Sequence, residues 1–421
     1  MDDRRSAVLG EGHCEGAEIG RRLRRLTCPT LLLALAACGQ DVSAPTNWIT
    51  IDLCQGYNWV AYLNDGGRWT RLTSNERIQS FPATDRLVIA TVYAPSSDFS
   101  VLAIEHLTAA QAVERPCFDF VSAGTPKLVR GSVAGLGTEF FPTLTISRKG
   151  STAVHPDSLT FWWMAPPVPH DILGLRRPKP SNPWIVDRMI FRRALDLTGI
   201  DTIPPLDFES AEAFAPASNV VTIAGPPIAG GVNIVNYFRT ASGLVETLSF
   251  TFNNVTSGIV NAVPGDRLVD GDMHQLSVGA GGRSVYHYYR QPADRTITLG
   301  PVMATPTFTA ISPAPYLRVR VDLAAQPEYG SSVEFHLTLN SKFVNMSATK
   351  EYFGGTPLVW SLTVPDLSLV EGFQTSWVLP SGPFGSSVLI SDQRSDFSVT
   401  GPRDGETVRW ADRSTASPPI P

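Results

Sequence analysis

The chain is poor in charge, in cysteine and in catalytic signatures, and each shortage excludes something. Charged residues are 17% of its 421 residues, below the quarter or so usual for soluble domains. The formal net charge is −5, so no excess of Lys and Arg is present to hold a nucleic-acid backbone, and no nucleic-acid partner is expected. No G-x-S-x-G, H-E-x-x-H, P-loop, strand-borne G-x-G-x-x-G or C-x-x-C occurs, which removes the common signatures of hydrolases, zinc proteases, nucleotide binders and thiol exchange. The seven histidines, His13 and His106 among them, have no metal-ligand spacing. His155 and His170 lie in expected loops near Asp157 and Asp171, an arrangement for metal contacts, against the plainer reading of solvated loop residues. Glycine and proline, by contrast, number 34 each. That abundance, with few helix-forming Lys and Glu, favours strands and turns over long helices.

The amino-terminal stretch has a definite organisation. Arg21, Arg22, Arg24 and Arg25 precede an apolar run, Leu31 to Ala37, that stops at Cys38. A basic segment, a short apolar segment and small residues at the cut describe a secretory signal, and the run is too short for a bilayer span of about 20 residues. Leu35-Ala36-Ala37-Cys38 resembles the lipobox of bacterial lipoproteins. That resemblance implies diacylglycerol on the Cys38 sulfur, cleavage before Cys38, acylation of the new amino terminus, and a flexible tether over 39–46. Gly39, where retained inner-membrane lipoproteins carry Asp, implies the outer membrane. Residues 1–20, with Asp2, Asp3, Glu11, Glu15 and Glu18, do not fit an export signal, so a downstream start codon is expected. Processing at Cys38 removes Cys14 and Cys28 and leaves Cys54 and Cys117. In an oxidising envelope these two are expected to pair, closing a loop of about 60 residues and stabilising it by about 4 kcal/mol, with two buried free thiols as the alternative.

The body reads as all-β: two to four antiparallel sandwich-like domains in tandem, with one or two short helices. Residues 47–121 form the first domain, in which Asp65-Gly66-Gly67 supplies the positive φ of a tight hairpin between strands at 58–63 and 68–72. Further strands are expected at 48–54, 85–93 and 99–105, and Thr108 is placed to cap a helix over 109–114. The second domain, 126–225, opens on a strand at 127–137 that resembles the first strand of carboxypeptidase-regulatory-like and similar small sandwiches. Asp207 is placed to cap a second helix over 207–214. Beyond 229 the pattern is strand and turn. A third domain covers 229–311, and a fourth, 312–421, either stands alone or merges with the third. Strands at 232–237 and 244–252, and at 284–290 and 295–299, are expected to pair; others follow at 316–323, 332–339, 358–364, 374–379, 386–390, 397–400 and 407–410.

Few residues suggest chemistry. Asp266, Asp270 and Asp272, on a glycine-bearing loop, are the best-spaced oxygen ligands for calcium, against the plainer reading of an acidic turn. Tyr286 and Tyr288 share one face of a strand, where they either stack on sugar rings or pack across strands. Trp162 and Trp163 send one ring to each face, so one ring is left for solvent or a partner. Two functions from different classes follow. One is a lipid-anchored, non-catalytic binding or structural module of the cell envelope, its partner an envelope protein or a glycan. The same features also suit an assembly accessory. The other is a secreted hydrolase of glycans or peptides whose carboxylates, from among Asp187, Asp207, Glu209 and Asp272, meet only in the fold.

Overall fold

The computed structural model of the protein describes residues 47–53, 56–72, 77–114, 125–147, 150–152, 154–179, 184–225, 231–253 and 256–416. Cys38, Cys54 and Cys117, the residues expected to carry lipid and a disulfide, lie outside these residues. Among the described residues no helix is long and apolar enough to cross a membrane.

Alternation of apolar and polar residues along most strands gives each sheet one face for a core and one for solvent. The protein is all-β. Its spine is a twelve-stranded sheet. From one edge the order begins Val245–Asn253, Val232–Arg239, Met273–Gly279, Arg283–Tyr289, Thr407–Ala416 and Gly385–Ser391. It continues Ser332–Leu339, Lys342–Thr349, Ser100–Thr108, Arg86–Tyr93, Trp59–Asn64 and Thr70–Arg71. Neighbours are antiparallel except Lys342–Thr349 beside Ser100–Thr108. Thr407–Ala416 bonds on one side to Arg283–Tyr289 and on the other to Gly385–Ser391. Hydrogen bonding therefore runs unbroken through the first, third and fourth regions of the sequence.

Smaller sheets cover this spine. Thr307–Ser312, Arg318–Ala324 and Val359–Thr363 form one, and Val319, Val321, Leu323 and Trp360 enclose the largest core against Phe335, Val344, Met346 and Val388. The pair Asn47–Asp52 and Ile78–Ala83 closes a core over Val60, Tyr62, Leu87 and Ile89. Ala217–Ala224, flanked by Ser257–Ala262 and Arg295–Thr298, covers Ile234, Leu276 and Val285. The second region has its own sandwich. Thr160–Ala165, Lys127–Ala134 and Leu206–Asp207 face Arg188–Leu195, His170–Pro178, Phe140–Ile146 and Gly150–Thr152 around Phe161, Trp163 and Phe208.

Local expectations meet mixed outcomes. The hairpin forms, with Gly66 at φ 67° and Gly67 N–H donating to Asn64 O at 2.9 Å. The helix Ala109–Val113 forms too: Thr108 Oγ1 accepts from Gln111 N–H, and Gln111 Oε1 accepts from Thr108 N–H, a reciprocal capping box. No helix forms over 207–214. Leu206–Asp207 is a short strand, and Asp207 Oδ1 accepts from Glu209 N–H in a local turn. Phe208 and Ala213 are held in the second core, and Phe214 bridges to Met189, so burial fixes an extended path. Phe397–Thr400, expected as a strand, is a helical turn whose Phe397 ring lies 5.5 Å from Tyr288. Within the expected strand 374–379, Thr375–Trp377 is a 3-10 turn.

Candidate functional site

Where the second region meets the edge of the spine, apolar and polar side chains interlock. His170–Pro178 is buried on both faces, yet contains His170, Asp171, Arg176 and Arg177. Arg177, fully buried, donates from Nη1 to Leu248 O at 3.2 Å, from Nε to Thr143 Oγ1 at 3.2 Å, and from Nη2 to Thr247 O. Its ionic partner, Glu246, lies 3.4 Å away and accepts a further bond from Thr145 Oγ1. Burial pushes the Glu246 carboxyl up and the Arg177 guanidinium down from their ordinary values, with each charge partly restoring the other. Nearby, Asp171 accepts from Ala194 N–H at 2.8 Å and Ser242 Oγ–H at 2.6 Å. Asn261 accepts from Val186 N–H at 2.7 Å.

This buried ion pair underlies a groove. In Val232–Arg239, Val232 and Ile234 enter the core while Asn233, Val235 and Tyr237 face outward. Across the ladder stand Phe252 opposite Asn233, Phe250 opposite Val235 and Thr247 opposite Tyr237. A one-residue register shift between Asn236 and Tyr237 keeps Phe250 and Thr247 on the same face despite their odd spacing. Trp184 completes the wall from the second region. Its N–H donates to Phe250 O at 2.8 Å, Phe250 N–H donates back to Trp184 O at 3.0 Å, and the Arg177 guanidinium packs 5.5 Å from its ring. The concave space is about 580 Å³ and is lined by Trp184, Asn233, Val235, Tyr237, Thr247, Phe250 and Phe252, none of them charged. Trp184, Phe250 and Phe252 remain 47%, 36% and 57% exposed.

The residues singled out from sequence fall elsewhere or at the margin. Tyr286 is half-buried on the same outward face of the spine, its ring 6.2 Å from Trp410, while Tyr288 is buried under Phe397. Trp163 is fully buried and Trp162 is 63% exposed, on a different sheet from the groove. The three aspartates do not converge: Asp266 lies 3.8 Å from Arg267, Asp270 3.3 Å from Arg290, and the buried Asp272 2.5 Å from Arg193. Among the described residues no group of three or more His, Cys, Asp or Glu side chains is arranged to hold a metal ion. His155 and Asp157 are exposed, whereas His170, expected in a solvated loop, is buried with Nε2 3.1 Å from Pro166 O. Its strand is sealed between two cores, which local sequence does not reveal.

Two of the four candidate carboxylates do meet, but on a cation. Asp187 and Glu209 both contact Arg176, at 2.6 and 2.5 Å, and Asp207 is tied to the Glu209 backbone. Burial works against the Arg176 charge, and its hydrogen bonds to Glu209 and Asp187 outweigh that and raise its pKa. Both carboxylates are spent on neutralising one buried guanidinium, which suits a structural anchor. Trp184, Tyr237, Phe250 and Phe252 were not expected from sequence as a site. Their one local signal is that 244–252 carries apolar residues on both faces although it forms a sheet edge.

No family model matches the chain, and no curated protein matches it. Ten solved chains do. One, from Bacteroides uniformis and provisionally assigned as carbohydrate-binding, is 12% identical, covering 48% of this chain and 99% of that one with a TM-score of 0.21. Another, the tetra-tandem repeat in the extending region of a large adhesion protein, is 11% identical over 87% of this chain and 98% of its own, with a TM-score of 0.13. The Bacillus anthracis TIE protein is 8% identical over 80% of this chain and 62% of its own, with a TM-score of 0.14. Likenesses of this size carry no functional argument.

Proposed function

We propose that the protein is a non-catalytic binding module of the cell envelope, tethered by lipid on Cys38, and that the groove beside Trp184 takes carbohydrate. The observation that carries this reading is the groove itself: exposed flat rings at Trp184, Phe250 and Phe252 beside the amide of Asn233 and the hydroxyls of Thr247 and Tyr237, with no charge in the lining. A pyranose presents an apolar C–H face for stacking and a rim of hydroxyls for hydrogen bonds, so it matches both halves of that surface. An uncharged lining offers nothing to a phosphate, a nucleic acid or an acidic peptide. The hydrolase reading loses support where Asp187 and Glu209 are committed to Arg176.

Calorimetry of the soluble body, 45–421, against neutral oligosaccharides is expected to show binding that Trp184→Ala weakens about tenfold, as loss of one stacked ring requires. Its unfolding midpoint should stay near wild type, since Trp184 is half exposed. Turnover of the sugar by wild type, abolished by Glu209→Gln, would return the hydrolase to first place. Cys38→Ala is expected to release the full-length protein from membranes, because its lipid chains are the proposed anchor.

A further inference from the structure

Resting on the carbohydrate reading, we propose that the ligand is a linear, uncharged polysaccharide that crosses the strands of the spine and engages a second aromatic platform at Tyr286 and Trp410. The ladder registers place the residues. One row across the sheet reads Phe252, Asn233, Gly279, Ser284, Trp410, and the next reads Phe250, Val235, Ser277, Tyr286, Val408. Each row has aromatic side chains toward both sides and small ones between. Gly279 has no side chain, and Ser277 and Ser284 are short, so the middle of the face is a shallow trough between the Phe250–Phe252–Trp184 wall and the Tyr286–Trp410 pair.

The span fixes the ligand class. Strands lie ~4.8 Å apart, so Phe250 and Tyr286, three strands apart, are separated by ~14 Å, and Phe252 and Trp410 by ~19 Å. A span of ~14–19 Å is several sugar rings long, so only an extended chain joins the platforms. A mono- or disaccharide reaches only one. Asn233 and Gln275 stand in the rows on either side of the Val235–Ser277 row, and Arg239 donates to Gln275 Oε1 at 3.3 Å. Asp412 borders Tyr286, where it favours hydroxyls and repels an acidic sugar.

The test is a chain-length series of β-1,4-linked gluco-, xylo- and N-acetylglucosamine oligosaccharides, from two to six units, titrated into the 45–421 body. Affinity for one of the three series is expected to rise about tenfold between two and five units and then level off. Tyr286→Ala should remove that gain while leaving the two-unit affinity unchanged, and Tyr286→Phe, which keeps the ring, should retain it. Ser277→Lys, which places a long side chain between Val235 and Tyr286 and leaves both in place, should also remove the gain, and serves if Tyr286→Ala folds poorly. Equal affinity for short and long chains in wild type, or a gain that survives both Tyr286→Ala and Ser277→Lys, overturns the second platform and leaves the Trp184 groove standing. Absence of binding at every length overturns the carbohydrate reading beneath it.

Discussion

The strands Arg86–Tyr93 and His170–Pro178 are each buried on both faces, and they reach that state by opposite chemistry. Arg86–Tyr93 does so with Leu87, Val88, Ile89, Ala90 and Val92, which feed the core under Asn47–Asp52 on one side and the largest core on the other. His170–Pro178 is equally enclosed, but between Ile172 on one face and Leu173 and Leu175 on the other it carries an Asp–Ser contact and two arginines. An apolar strand tolerates any apolar cover of the right size. A strand with buried charges accepts only a neighbour that brings the matching acceptors, so Arg177 makes the second region dock where Glu246, Thr247 and Leu248 are. That specificity is what brings Trp184 to the edge of the spine.

The sharpest way to break the comparison is Glu246→Ala. It strands a buried guanidinium and is expected to cost about 3–5 kcal/mol in urea unfolding, whereas Arg177→Met with Glu246→Leu should recover most of that loss. Equal destabilisation by the single and double changes would mean the pair specifies nothing. In the apolar strand, Ile89→Ala leaves a cavity worth about 3 kcal/mol, and sugar binding at the groove should be untouched.

Acid separates the regions differently. Burial lowers His106 and His274 to about 4, and His274 Nε2 accepts from Val263 N–H at 3.0 Å, a bond that protonation breaks. Both are neutral in the folded state and take up protons in the unfolded state below pH ~6.5, so their stabilisation is present above that pH. It declines as pH falls from ~6.5 to ~4, by about 3 kcal/mol for each, and is flat below. His274→Phe should flatten that part of a stability-versus-pH curve; an unchanged slope would deny His274 its share. The smallest effect is a gain. Thr91 is buried and its Oγ1 has no hydrogen-bond partner among the described residues, so Thr91→Val is expected to raise stability by up to about 1 kcal/mol in the same assay.

Much of the local structure was legible because its causes are local. Asp65-Gly66 makes a turn wherever it stands between strands, and Thr108 with Gln111 caps a helix from within four residues. Trp162 and Trp163 divide between faces because strand side chains alternate. The helix expected after Asp207 failed because capping chemistry was outweighed by Phe208 in a core some distance along the chain. Asp266, Asp270 and Asp272 looked like a ligand set until each found its own arginine, in two cases from far along the chain.

The alternation of apolar residues and the wealth of glycine and proline determined by themselves that this chain is built of strands and turns, since side-chain direction and turn geometry are set within a few residues. Only the tertiary structure decided that Thr407–Ala416 would join two regions into one spine, and that Trp184 would stand beside Phe250 and Phe252. Strand partners and buried ion pairs are chosen between segments tens to hundreds of residues apart. Their energies depend on which surfaces meet, and no local pattern encodes that.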